Sequence, residues 1–374
     1  MQVIYQQVLI KKDWISNMID NMPKSALIAM SGGVDSTVSA MLMLQKGLDC
    51  AGAIMKLHPC VKDAEPDARA AAQKLGIPFY ALDFSNDFAN EVIERFVKAY
   101  EEGRTPNPCV ECNRNIKFGR LLEKAIELGK ECLVTGHYVQ IEQSPSGRYL
   151  LKKAKDDTKD QSYVLYSLKQ NQLAHIQFPL GGFSKPDVRK LAAEAKLAAA
   201  ERKESQDICF VPDGDYASFI TEYTGKQPIR GRFVDTSGND LGENKGLIYY
   251  TIGQRRGLGL AMPHPPYVVS MSSDDNTVVV GRNDMLFSRV LDVCDINLIP
   301  FDKLDAPIRA RVKIRYKHTE QPATVYQTGS DTLRIEFDEP QRAVTSGQAA
   351  VIYDGDYVLG GGTITQNVTP TQNS

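Results

Sequence analysis

The stretch Ala26-Leu27-Ile28-Ala29-Met30-Ser31-Gly32-Gly33-Val34-Asp35-Ser36 decides the reading of the first half of this chain. Ala26–Met30 is a short apolar run of the kind that forms a buried strand, and Ser36–Lys46 has helical spacing with Gly47 as its stop. Between them lies the pair Gly32 and Gly33, expected to take positive φ and to let the backbone approach a ligand closely. The helix that follows offers unpaired N–H groups and the positive end of its dipole, which suits a pyrophosphate. Asp35 would repel a phosphate directly, so it is expected to bind Mg²⁺ or to orient the loop. The Gly-Lys-Ser/Thr ending of a Walker A loop is missing. The plainer reading is a glycine-rich turn with a serine cap. A strand before it and a helix after it favour the phosphate site.

The same alternation continues outward. Cys50–Leu57, Phe79–Phe84 and Cys132–Thr135 read as strands. Ala64–Leu75, Glu91–Glu102 and Ile116–Leu128 read as helices ending at Gly76, Gly103 and Gly129. Strands alternating with helices imply a parallel sheet covered on both faces. Beyond about Phe210 the character changes, and from Gly231 short apolar runs are punctuated by Gly, Pro, Asp and Asn. The strand candidates there are Leu247–Ile252, Tyr267–Met271, Thr277–Val280, Ile308–Tyr316, Ala323–Tyr326, Leu333–Phe337 and Ala349–Tyr353. Their spacing suggests a sandwich or barrel. The 374 residues suffice for two or three domains. The expected division is an α/β catalytic domain over 1–210, a small central domain over 211–282 and a C-terminal β-barrel over 283–374.

Composition narrows the class. A hydrophobic fraction of 42% and a charged fraction of 24% are ordinary for a soluble protein with a large core. No apolar run approaches the roughly 18 residues of a membrane span. The segment Met1–Lys24 carries Asp13 and Asp20 and no arginine, which reads against a transit peptide, and Gln2–Ile10 is too short and polar for a secretory signal. A cytoplasmic location is expected. With a net charge of −2, nucleic acid must be held by local basic patches. The most regular patch is Arg309, Arg311, Lys313, Arg315 and Lys317, with Ala310, Val312, Ile314 and Tyr316 between them. On a strand this puts five cations on one face, where they can track phosphates. The alternative is an edge strand charged against aggregation.

Seven cysteines, an odd number, point to catalytic or metal-binding thiols rather than a disulfide framework. Cys109 and Cys112 form a CxxC in Thr105-Pro106-Asn107-Pro108-Cys109-Val110-Glu111-Cys112-Asn113. A helix is expected from about Ile116, and its N-terminus, with Arg114 and Lys117, favours the thiolate. A third thiol, Cys209, ends Glu204-Ser205-Gln206-Asp207-Ile208-Cys209. Such a set suits a persulfide carrier with a resolving thiol, or an iron–sulfur cluster with one open iron. Zinc would lack an evident fourth ligand. Cys50, Cys60, Cys132 and Cys294 are assigned to packing.

Ser31–Ser36 resembles the loop of the PP-loop ATPases, which cleave ATP between the α and β phosphates and adenylate a substrate oxygen. Six further stretches follow in order: Thr105–Phe118, Thr135–Tyr138, Lys159–Tyr163, Phe178–Gly181, Ser205–Phe210 and Tyr250–Gly259. Together they make the chain similar, over nearly its whole length, to the bacterial tRNA-specific 2-thiouridylase (MnmA/TrmU) family. The resemblance implies a Rossmann-like PP-loop domain, a central tRNA-binding domain, and ATP- and Mg²⁺-dependent transfer of sulfur to C2 of a wobble uridine. It implies ATP at Ala29, Met30, Ser31, Gly32, Gly33, Val34, Asp35 and Ser36, with Met55 and Gly136 at the adenosine. It implies the target base at Asn107, Pro108 and Cys109, Cys112 as nucleophile or resolving thiol, and Cys209 as persulfide carrier, the pair closing a disulfide. His137, Lys159, Asp160, Gln161, Arg315, Tyr316 and Gln348 match tRNA-contacting positions. The implied partners are the tRNAs for Lys, Glu and Gln and an upstream sulfur-donor protein, with no membrane.

Cys109 departs from the pattern, because many members carry Asp there in an acid–base role. With Cys112 and Cys209 it completes a three-thiolate set resembling the branch proposed to hold a 4Fe-4S cluster. The stretch after Met55 is also shorter than in many relatives. The competing reading is another PP-loop adenylating synthetase with an amine nucleophile, which would have no use for three cysteines.

Overall fold

β1 (Ser25–Ala29) is the centre of the first half, with Ala26, Leu27 and Ile28 wholly inside. The computed structural model describes residues 23–61, 63–197, 208–211 and 213–365. The expectations drawn from the first 22 residues and from Glu204–Asp207 lie outside these. Two compact units emerge. One takes the sequence up to Ala89 together with Cys112–Cys209, and the other takes Asn90–Glu111 and the chain from Phe210.

In the first unit β2 (Asp49–Lys56), β3 (Phe79–Asp83), β4 (Cys132–Val134) and β7 (Ile176–Gln177) join β1 in a parallel sheet of order β3-β2-β1-β4-β7. The hairpin of β5 (Gln140–Gln143) and β6 (Tyr149–Lys152) lies between β4 and β7 in sequence. Strands covered on both faces read as unbroken apolar runs, which is why β1, β2 and β4 were legible. α1 (Val34–Gln45) and α2 (Glu65–Leu75) bury Val38, Met41, Leu42, Ala68 and Ala72 against the sheet, and Gly76 closes α2 at φ +71. A later helix, Lys185–Glu194, starts with a capping box: Ser184 Oγ accepts the Asp187 N–H, and Asp187 Oδ2 accepts the Ser184 N–H. Because β1 lies between β2 and β4, the chain leaves it first to one side and later to the other. The carboxyl ends of β1 and β4 therefore flank the position where open parallel sheets bind ligands.

The helix expected from Ile116 begins earlier. Pro108–Glu111 is already a helical turn, and Cys112–Arg120 continues as a wider π stretch before Leu121–Glu127. Proline is favoured at a helix's first position, so Pro108 starts this one rather than prolonging a loop.

The second unit has two β layers. β8 (Gly231–Asp235), β9 (Asp240–Asn244), β10 (Tyr267–Ser272) and β11 (Thr277–Gly281) form a sheet of order β10-β11-β8-β9. The expected strand Leu247–Ile252 is instead a 3₁₀ turn over Leu247–Tyr249. Asn244 Oδ1 accepts the Gly246 N–H at 2.8 Å and Gly246 sits at φ +112, which turns the chain out of the ladder. Leu247 and Ile248 remain buried, so their apolar character reported burial and not strand.

β12 (Phe287–Leu298), β13 (Ile308–Lys313), β14 (Gln321–Gly329), β15 (Thr332–Arg342), β16 (Ala349–Asp354) and β17 (Tyr357–Ile364) run in the order β12-β15-β14-β13-β16-β17. β17 pairs back onto β12, so the barrel closes. Leu291, Val312, Val325, Ile335 and Ile352 fill it. No helix among the described residues is long and apolar enough to cross a membrane.

Candidate active site

The loop after β1 is built by hydrogen bonds to its own backbone. Gly33 caps α1 in an extended conformation, φ −83, so of the two glycines only Gly32, at φ +69, uses the left-handed region expected of both. Gly32 is also hemmed in: a Cβ there would lie 2.6 Å from Asp67 Cβ and 3.0 Å from Ala68 N of α2. Ser36 Oγ and Thr37 Oγ1 donate to the Gly33 carbonyl at 3.1 and 2.9 Å, and the Ser31 N–H donates to Ser36 Oγ at 3.1 Å. These bonds draw Ser31–Ser36 into a compact turn at a helix N-terminus, the kind of end whose spare N–H groups suit an anion.

Gly136, after β4, backs the loop. A Cβ there would sit 3.0 Å from Asp35 and Ser36 atoms, a tight contact that glycine relieves. Ala29 ends β1 and Met30 follows it, Val34 opens α1 and Met55 lies near the end of β2, so these candidates sit at the carboxyl ends of adjacent parallel strands.

Lys185 was missed in the sequence. Its side chain is 8% exposed, and Nζ lies 2.8 and 2.7 Å from the two Asp35 carboxylate oxygens. Tyr138 donates its hydroxyl to Asp35 Oδ1 at 2.7 Å, and Lys185 Nζ lies 5.6 Å from the Tyr138 ring centre. Both oxygens of Asp35 are thus engaged, by Lys185 and Tyr138. The available signal was Ser184-Lys185-Pro186-Asp187, a helix start with a cation in the first turn, where the helix dipole disfavours one.

The neighbouring candidates brace this wall. Gln161 Oε1 accepts the Tyr138 N–H at 2.9 Å, and the Gln161 N–H returns to the Tyr138 carbonyl at 3.0 Å. Asp160 accepts from the Ala154 N–H and the Ser162 hydroxyl, and the Lys159 N–H donates to the Asp156 carbonyl. His137, expected against RNA, is buried with its ring beside Phe118 and Phe178, and Nδ1 is 2.7 Å from Thr135 Oγ1. Burial, and then the charge of Lys117, push its pKa well below the usual histidine value, so the imidazole is neutral.

Cys109 is exposed, on the turn capped by Asn107, whose Oδ1 accepts the Cys109 N–H at 3.1 Å. Cys112 is buried at the head of the π stretch, and Cys209 is exposed. Among the described residues, no three His, Cys, Asp or Glu side chains come together as a metal-holding group. Burial raises the Cys50 thiol to about 11 and the Cys132 thiol to about 12, in keeping with a packing role.

The basic stripe is shorter than expected. β13 stops at Lys313, so Arg315 and Lys317 fall in a turn and the alternation breaks. Arg309 is bidentate to Asp338 at 2.8 and 2.7 Å, and Arg311 donates to the Glu320 carbonyl. Nor is β13 an edge strand, since it pairs with both β14 and β16. Arg315 lies 3.4 Å from the Arg342 carbonyl, and Tyr316 is exposed with Lys313 Nζ 5.7 Å from its ring centre. Gln348 donates Nε2 to the Thr105 carbonyl at 2.8 Å.

Three family models cover the chain in sequence: tRNA methyl transferase HUP domain over residues 24–213, tRNA methyl transferase PRC-barrel domain over 217–282, and aminomethyltransferase beta-barrel domain over 288–364. The chain is 46% identical over 359 residues to the tRNA-specific 2-thiouridylase MnmA of Clostridioides difficile, covering 93% of this chain and 99% of that protein. It is 46% identical over 355 residues to the protein of the same name from Acetivibrio thermocellus, covering 91% of this chain and 99% of that one. The chain belongs to the tRNA-specific 2-thiouridylase (MnmA) family.

Proposed function

We propose that this protein is an ATP-dependent tRNA uridine 2-sulfurtransferase acting in the cytoplasm on the wobble uridine of the tRNAs for Lys, Glu and Gln. The observation that carries the reading is the Gly33-capped helix N-terminus at the end of β1, with the Asp35 charge neutralised by Lys185. Such a loop accepts a pyrophosphate without facing it with a bare carboxylate. The relatives' thiolation name fits a phosphate loop combined with CxxC and a distant thiol better than the methyl-transfer name of the domain models does.

In this reading ATP lies over Ala29–Ser36 with Met55 and Gly136 at the adenosine, and Mg²⁺, arriving with the nucleotide, screens charge on its phosphates. The C2 oxygen of the flipped uridine attacks the α phosphate and expels pyrophosphate. Flipping is least costly for a single-stranded anticodon base. The terminal sulfur of a Cys209 persulfide then bonds to C2, and AMP leaves with the oxygen. The Cys112 thiolate takes the inner sulfur, so the products include a Cys112–Cys209 disulfide. A thiol reductant restores both cysteines and an upstream donor protein reloads the persulfide. Asn107, Pro108 and Cys109 face the base.

The test is nucleoside mass spectrometry of unmodified tRNA after incubation with protein, ATP, Mg²⁺ and a persulfide donor. One oxygen-to-sulfur exchange at the wobble uridine, absent without ATP and lost in Cys112→Ser and Cys209→Ser, is expected. No thiolated uridine with the donor present would overturn the reading.

A further inference from the structure

The stretch that opens at Cys112 has an uncommon winding. Cys112–Arg120 runs for nine residues in π geometry, whereas π turns mostly occur singly within α-helices. A donor inserted at a helical carbonyl is one cause of departure from the α form, and two side-chain amides are placed to act on this stretch. Asn113 Nδ2 donates to the Val164 carbonyl at 3.0 Å in the interior. Val164 belongs to the 3₁₀ turn Ser162–Leu165, whose four residues are all buried. The last carbonyls of a short helix lack partners within it, and the Asn113 amide supplies one. Towards the other end, Gln172 Nε2 donates to the Phe118 carbonyl at 2.6 Å. Gln172 is itself fixed, because its Oε1 accepts the Lys169 N–H at 2.9 Å at the start of the turn Gln170–Leu173. Asn113 is 1% exposed, yet its Oδ1 has no hydrogen-bond partner among the described residues. An unmet buried acceptor costs stability. Stability alone therefore does not account for an amide at this position, and a place beside a working thiol does.

We infer that Asn113 and Gln172 are positioning residues for Cys112, which hold Cys112–Arg120 in its π winding through the Val164 and Phe118 carbonyls and so aim the Cys112 thiol. A helix with i→i+5 bonds advances less round its axis per residue than one with i→i+4 bonds. Release into the α form, with the far end anchored, rotates Cys112 onto another side of the helix. The inference rests on the proposed part of Cys112 in sulfur transfer. It predicts a thiol that is present but misaimed when either amide is lost.

The experiment compares Asn113→Ala and Gln172→Glu with the unaltered protein. Glutamate at 172 still accepts the Lys169 N–H but, as a carboxylate, cannot donate to the Phe118 carbonyl. Iodoacetamide labelling without tRNA or ATP, read by peptide mass spectrometry, follows each thiol separately. Cys112 is buried in the present winding, and its rate is expected to rise about tenfold or more in both variants. Buried Cys132 should stay unlabelled and exposed Cys60 should keep its rate, which separates local rewinding from general loosening. A displacement of about 1 Å at a reacting group costs on the order of 100-fold. In steady-state thiolation kcat is therefore expected to fall by about 10- to 100-fold, with the tRNA Kd changed less than about twofold. If Asn113→Ala melts early, Gln172→Glu decides the matter, because residue 172 is only half-buried. Unchanged Cys112 labelling in Gln172→Glu would overturn the inference. So would a rise at Cys112 matched at Cys132, or a weaker tRNA Kd with kcat intact. An unaltered protein that forms no thiouridine counts against the functional reading alone, because the labelling still reports on the winding.

Discussion

Lys185 holds Asp35 through both carboxylate oxygens, at 2.8 and 2.7 Å, and thereby turns an anionic residue in a phosphate loop into part of a neutral pair. The Tyr138 hydroxyl completes the set, so the carboxylate is fixed from two sides. Removing one member of a buried pair leaves the other charge without compensation.

Lys185→Met is expected to destabilise the protein by about 3 kcal/mol, the lower end for a broken buried pair, because Asp35 keeps some access to water. ATP affinity should fall at least about tenfold, since a bare carboxylate then faces the phosphates. Urea unfolding and equilibrium nucleotide binding measure the two effects. Adding Asp35→Asn to Lys185→Met should recover part of the stability, and strict additivity would contradict the pairing.

The two loop glycines should differ in tolerance. Gly32→Ala must place a side chain at φ +69 and 2.6 Å from Asp67 Cβ, which costs about 1–2 kcal/mol for the backbone alone and pushes on α2. Gly33→Ala meets only Ser31 Oγ at 3.3 Å with ordinary φ and should fold nearly as well as the parent. Thermal melts of the two variants decide this, and equal melting temperatures would contradict it.

His137 should make the protein acid-sensitive. Its folded pKa lies well below that of the unfolded chain, where histidine titrates near about 6.5. Above that pH both states are neutral and nothing is lost. As pH falls from about 6.5 towards the depressed folded value, only the unfolded state takes the proton, and stability drops by up to about 1.4 kcal/mol per pH unit. His318 shifts in the same direction, from burial first and then Arg315 and Lys313, and adds a share. Chemical denaturation from pH 7.5 to 5 should show a shallower slope for His137→Gln than for the parent.

Thiol labelling should sort the cysteines. Cys60, Cys109 and Cys209 are exposed and should react with iodoacetamide at pH 8 in the folded state. Burial holds the Cys132 thiol at about 12, leaving roughly one thiolate in 10⁴ at that pH, and Cys50 at about 11 is nearly as inert. Peptide mass spectrometry should find Cys50 and Cys132 modified only after denaturation.

What the sequence made legible followed from burial. β1, β2 and β4 are covered on both faces, so their apolar runs could hardly be read otherwise. β8 and β9, Gly231–Asp235 and Asp240–Asn244, were missed because half-exposed strands rich in Gly, Asp and Asn resemble turns. Their ends depend on the buried Asn244 side chain, which donates to the Arg232 and Asn276 carbonyls, a pairing made only by tertiary structure. In the site, the loop and the thiols are local patterns and could be quoted from the chain. Lys185 is 150 positions from Asp35, and no spacing rule links a capped helix start to a distant carboxylate. The partners of the basic stripe were hidden for a related reason, since Asp338 and Glu320 approach Arg309 and Arg311 from other parts of the barrel.

The closure of the barrel by β17 carries a consequence for how the protein comes into being. Ile364, at the end of that strand, exchanges two hydrogen bonds with the turn that grips Thr105. A chain still being synthesised has already made Thr105 but not yet the strand that latches the turn beside it. In a chain that stops just before Tyr357 the turn Ser346–Gln348 is present but lacks the two hydrogen bonds that Ile364 exchanges with it. Closure of the barrel and completion of the turn that meets Thr105 thus both wait on the last strand.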